Sequence, residues 1–142
     1  MIIQLVYSSK LTVDSPTYYR DCRVPRCHYE TFEIYVATKG VYVLWSESSI
    51  NTYGYIYKHD FTSLKPSENL LSQHDGSCNE GQFKLFADLD INTRYVLVVT
   101  THRPNTIGDF SLFLSGPANV TFHHISKYMA IDFFMLGIDE LI

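Results

Sequence analysis

The stretch Arg94–His102, Arg-Tyr-Val-Leu-Val-Val-Thr-Thr-His, is apolar on both sides of an extended chain: Tyr95, Leu97 and Val99 fall on one face, Val96 and Val98 on the other. β-branched and aromatic residues without internal Gly or Pro predict a strand, and two apolar faces predict one covered on both sides. Around it the chain alternates with period two. His28–Thr38 places Phe32, Ile34 and Val36 together, Val41–Ser46 places Val41, Val43 and Trp45 together, and Thr52–Tyr57 aligns Tyr53, Tyr55 and Tyr57. Gln82–Leu89 alternates through Phe83, Leu85, Ala87 and Leu89, and Asp109–Ser115 through Phe110, Leu112 and Leu114. Tyr7–Val13 and Ala118–Phe122 complete the predicted strands.

Between these runs lie turn signals. Asp14-Ser15-Pro16 and Arg20–Cys27, with Pro25, read as loop, Lys39-Gly40 as a hairpin turn, and Lys58–Asn69 as a loop crossing between sheets. Gln73–Gly81 is a second polar loop, and Gly116-Pro117 a turn. Short strands at this spacing predict an all-β fold, an antiparallel β-sandwich. Residues 1–124 form the module, and residues 125–142 a tail. Tyr128, Ile131, Met135, Ile138 and Ile142 approximate helical spacing there. Two readings of the tail stay open: a short C-terminal helix, or a segment that belongs to a different context.

Composition narrows the function classes. Aromatic residues make up 15% of the chain and charged residues 18%, which suits a β-rich globular domain and not a disordered one. A net charge of −4 with dispersed signs leaves no basic stripe for a phosphate backbone, so nucleic acid is not an expected partner. Asp132 and Asp139 interrupt the apolar tail, so no membrane span is expected. The first residues lack a cationic segment and a small-residue cleavage site, so a secreted protein would be represented here by a processed or partial chain.

Catalytic and metal signatures are sparse. Gly-x-Ser-x-Gly, His-Glu-x-x-His and glycine-rich phosphate loops are absent, so no enzyme activity is expected. His123 and His124 are adjacent and point to opposite faces of a strand, which keeps them off a shared ion. Cys22, Cys27 and Cys78 are disulfide candidates: a Cys22–Cys27 bridge would contribute ~2 kcal/mol and a bridge from either to Cys78 ~4 kcal/mol, against the alternative of three free thiols. Asn119-Val120-Thr121 is a glycosylation sequon, and strand alternation turns Asn119 and Thr121 to solvent. Tyr53, Tyr55 and Tyr57 read either as a ligand platform or as residues packed inward or against the Lys58–Asn69 crossover.

The order of Ser49–Tyr57, Asn69-Leu70-Leu71, Asp75-Gly76, Gln82-Phe83, Asn92-Thr93, Tyr95–Thr101, Gly108–Leu112 and Gly116-Pro117 resembles the bacterial-type pre-peptidase C-terminal domain and its relatives in repetitive extracellular proteins of animals. The resemblance runs from about Tyr7 to Phe122. It implies a jelly-roll-like β-sandwich in a secreted or surface protein, part of a larger multidomain chain. Some relatives bind Ca²⁺ through acidic loops and others bind extracellular polymers such as collagen. The corresponding loop offers Asp75, Asn79 and Glu80, with His74 where a further Asp is expected, a thin donor set for an ion that takes six to eight oxygens. The expectation is thus a non-catalytic extracellular binding or adhesion module for a carbohydrate or matrix protein, with no obligatory cofactor. The alternative is an accessory domain of a secreted hydrolase.

Overall fold

The computed structural model describes residues 3–125. The tail readings over 126–142, helix included, lie outside them. Eleven strands make up the described chain: β1 (Ile3–Leu11), β2 (Thr17–Arg20), β3 (Val24–His28), β4 (Glu30–Val36), β5 (Gly40–Ser48), β6 (Thr52–Lys58), β7 (Leu70–His74), β8 (Lys84–Leu89), β9 (Tyr95–Thr101), β10 (Gly108–Gly116) and β11 (Val120–Ile125). All pairings are antiparallel. One sheet has the order β1-β10-β5-β8 and the other β11-β4-β9-β6-β7, while β2 and β3 form a separate two-stranded ribbon. The two sheets pack as a jelly-roll-like β-sandwich in which the chain changes sheet at nearly every connection, and β11 extends the larger sheet beside β4.

The period-two patterns place the core as expected. Phe32, Ile34 and Val36 from β4, Leu85, Ala87 and Leu89 from β8 with Phe83 just before it, and Phe110, Leu112 and Leu114 from β10 are buried together between the sheets. From β5 the core takes Tyr42 and Leu44, so Val41, Val43 and Trp45 share the opposite, outer face. Thr52, Gly54 and Ile56 are the inward positions of β6, and a Cβ at Gly54 would collide with the Phe83 ring. Every residue of β9 is buried. Tyr95, Leu97 and Val99 join the central core, while Val96 and Val98 join a second cluster with Tyr55 and Tyr57. Full burial of each aliphatic side chain is worth about 1.5–3 kcal/mol, so β9 ties two apolar layers to one strand.

The second layer corrects the reading of Arg20–Cys27 as loop. Thr17–His28 is a hairpin, with a register irregularity between Tyr18 and Arg20 and left-handed backbone at Asp21 and Cys22 in its turn. It lies over the outer face of the five-stranded sheet. Tyr18, Tyr29 and Phe61 meet edge to face there, at centroid distances of 4.8 to 5.5 Å, and Phe61 comes from the Lys58–Asn69 connection.

Three other boundaries differ from the sequence reading. The first strand runs from Ile3 to Leu11, and Val13 sits exposed in the turn closed by the Ser15 N–H on the Thr12 carbonyl. Lys39-Gly40 is a corner between sheets, because β4 pairs with β11 and β9 whereas β5 pairs with β10 and β8. Conversely, Lys58–Asn69 stays with one sheet, since β6 and β7 pair with each other.

Candidate functional site

The aligned tyrosines are roofed. Tyr55 and Tyr57 are 1% and 0% exposed, and Tyr53 is half-buried. The rings stack in series, Tyr53 on Tyr55 at 4.6 Å and Tyr55 on Tyr57 at 6.4 Å. Tyr57 Oη donates to the Pro66 carbonyl at 2.6 Å, fastening the Lys58–Asn69 connection over the ladder. Arg20 fastens the hairpin. Its guanidinium, 4% exposed, donates to Asp21 Oδ2 at 2.7 Å, the His102 carbonyl at 3.0 Å and Tyr55 Oη at 3.3 Å. It also lies 4.5 Å from the centre of the Tyr53 ring. Tyr55 Oη in turn donates to the Asp21 carboxylate. Burial pushes the Tyr18, Tyr55 and Tyr57 phenols far up, so the cluster is held as neutral phenols around one ion pair. This assembly is a latch between hairpin and sheet, and it presents no open aromatic surface.

The Asp75–Glu80 loop is organised by its own hydrogen bonds. Asp75 Oδ1 accepts from the Ser77 N–H at 2.9 Å and from the Ser77 hydroxyl, and these bonds hold its carboxyl below the usual range. The Asn79 amide donates to the Gln82 carbonyl at 2.8 Å, and Glu80 is exposed with left-handed backbone. Among the described residues no group of three or more His, Cys, Asp or Glu side chains is placed to hold a metal ion. The cysteines are free thiols in this structure: Cys22 and Cys78 are exposed, whereas Cys27 is buried against the Val24 carbonyl. The Cys22–Cys27 pairing is therefore not formed, because hairpin alternation turns Cys27 toward the sheet and Cys22 into the turn. Asn119 and Thr121 are exposed, and Val120 and Phe122 pack against the core. His123 is exposed, and His124 Nε2 lies 2.6 Å from Glu30 Oε1 on the neighbouring strand.

The open aromatic surface is on the other sheet. Alternation turns Val6 on β1, Phe113 on β10, Trp45 on β5 and Lys84 on β8 outward in one row across four strands. The next row holds Gln4, Ser115, Val43 and Phe86, and Val41 pairs with Asp88 beyond it. Trp45 and Phe113 stack at 5.3 Å with planes 10° apart, which stands the two rings up as a ridge on the sheet. Phe86 is 61% exposed, and Val6 and Val41 are each 57% exposed. Depressions flank the ridge: one of about 630 Å³ lined by Ser8, Ser48, Ser49, Ser111, Lys10 and Asp109, the other of about 580 Å³ lined by Val41, Val43, Ser115 and Pro117.

An antiparallel sheet with one solvated face normally carries polar residues there. Here both outer faces carry aromatics, and among the described residues only the five-stranded one is covered by a hairpin. The alternation contained this signal: fixing Phe110, Leu112 and Leu114 inward turns Phe113 out, and fixing Leu85 and Ala87 inward turns Phe86 out.

Comparison with known protein families found no family model that matches the chain, and comparison with curated proteins found no match either. Among the described residues no helix is long and apolar enough to cross a membrane.

Proposed function

We propose that the chain is a non-catalytic binding or adhesion module that holds an extracellular ligand on the outer face of its four-stranded sheet. One observation carries the reading: the stacked Trp45–Phe113 pair, with Val6, Val41, Val43 and Phe86 around it, is an apolar face that no described element covers. Uncovered apolar surface of this kind marks interaction sites. The resemblance to extracellular β-sandwich modules and the exposed Asn119-Val120-Thr121 sequon support the extracellular setting. The free thiols lend it nothing.

The test is a binding screen against immobilised glycans and matrix proteins, run with the native chain and with Phe86→Ser and Val41→Ser. Both positions are exposed, so these changes should alter stability by no more than about 0.5 kcal/mol. Ligand binding weakened about tenfold or more in either variant, with an unchanged urea midpoint, supports the face. Equal binding by native and variant chains refutes it.

A further inference from the structure

Resting on that reading of the face, we infer that its ligand is an unbranched, uncharged polysaccharide chain lying along β5 and β10 across the Trp45–Phe113 ridge. Three features of the face select this class. Its shape is elongated: from Ser48 to Val41 along β5 the sheet runs for about 24 Å, the reach of roughly four or five linked pyranose rings. The two depressions lie at opposite ends of this run, with the ridge between them.

Its chemistry alternates as a pyranose does, between apolar C–H surface and hydroxyl rim. The aromatic ridge and Phe86 supply apolar contact. The Ser8–Ser111 pair, at 3.4 Å, and the exposed Ser49 supply hydroxyls that both donate and accept. Ser48 donates to the Asp109 carbonyl at 2.6 Å and accepts from the Ile50 N–H at 3.2 Å, bonds that fix the strand ends beside this depression. The half-buried Trp45 brings an indole N–H donor beside the rings.

Its charge is mixed. Lys10 and Lys84 are interspersed with Glu47, Asp88 and Asp109 on the same face, so no field of one sign draws in a sulfated or uronic polymer.

The experiment titrates the full chain with β-glucan, xylan and chitin oligomers of increasing length, with a sulfated glycan and with soluble collagen, at low and high salt. The expected result is affinity for one neutral series that rises with length and levels off once about 24 Å is filled. That affinity should vary little with salt and fall about tenfold or more in Trp45→Ala and in Phe86→Ser. Phe86→Ser keeps the test decisive should loss of the half-buried Trp45 disturb folding. Binding of collagen or of the sulfated glycan alone, weakened by Phe86→Ser, overturns the polysaccharide inference and leaves the face standing. Neutral-glycan binding indifferent to both substitutions overturns the face itself. Failure of every neutral series to bind overturns the inference.

Discussion

Replacing Arg20 with Met removes the latch while keeping most of the side chain's apolar stem. The lost interactions are an ion-paired hydrogen bond to Asp21 at 2.7 Å, a bond to the His102 carbonyl at 3.0 Å, a longer bond to the Tyr55 hydroxyl at 3.3 Å and the stacking over Tyr53. A hydrogen bond to a charged group contributes about 1.5–3 kcal/mol and a desolvated cation–π contact up to about 2 kcal/mol. Two effects offset part of this. Arg20 Nε is buried without a partner, so its removal returns about 1–3 kcal/mol. Asp21, with 27% of its side chain exposed, keeps the Tyr55 hydroxyl and is not left as a fully buried lone charge. The net expectation is a destabilisation of about 2 kcal/mol, read as a fall of about 1 M in the urea midpoint. Amide exchange should quicken first in β2, β3 and the Tyr55–Tyr57 segment. Arg20→Lys should recover little, because an ammonium cannot reproduce the fork that spans Asp21 and His102. A midpoint within 0.2 M of the native chain, with the hairpin amides still protected, would refute the latch.

Alkaline pH should act on the same layer. The Tyr18, Tyr55 and Tyr57 phenols are raised by burial, so the unfolded chain loses these protons first; the stability they contribute is complete below the unfolded value near pH 10 and falls as pH rises above it. Phenolate absorbance should therefore show these tyrosines ionising only with the cooperative alkaline unfolding, and smooth titration of every tyrosine before unfolding would contradict the roofed ladder. At the Asp75 loop, where Ser77 already satisfies the carboxylate oxygen nearest the turn, the melting temperature should be the same in EDTA and in millimolar Ca²⁺, and a rise with Ca²⁺ would show an ion site. Expression through a secretory pathway should add a glycan mass that Asn119→Gln removes, with no change in the urea midpoint. An unshifted native mass would contradict that site.

Most of the core was legible because period-two alternation is local. Phe32, Ile34 and Val36, Leu85 and Ala87, and Phe110, Leu112 and Leu114 lie where the pattern puts them. Sheet membership was not legible, because the same kind of turn serves a hairpin within one sheet and a corner between two. Lys39-Gly40 and Lys58–Asn69 differ from the sequence expectation for that reason: β5 pairs with β8 and β10, far along the chain, and β6 pairs with β7 despite the long connection. Pro25 disguised β3, since a two-stranded ribbon tolerates a residue without an N–H that a central strand would not. The two tyrosine alternatives turned on what covers them, and that cover comes from Arg20, Tyr18 and Phe61 in segments that read as loop. The open face is hidden in the sequence for the converse reason. Trp45, Phe86 and Phe113 resemble core residues by type, and only the paired sheets show that the described fold leaves them uncovered.

The central claim is that recognition belongs to the outer face of the four-stranded sheet, and the most direct measurement is an NMR titration of the isotope-labelled chain with a soluble neutral glycan oligomer. The account predicts progressive shifts in the Trp45 indole, the Phe86 and Phe113 rings and the amides of β5 and β10, with Tyr53, Asp75–Glu80 and the 103–107 loop before β10 unmoved. Shifts concentrated in those loops or in the tyrosine ladder, with the Trp45 indole silent, would contradict it.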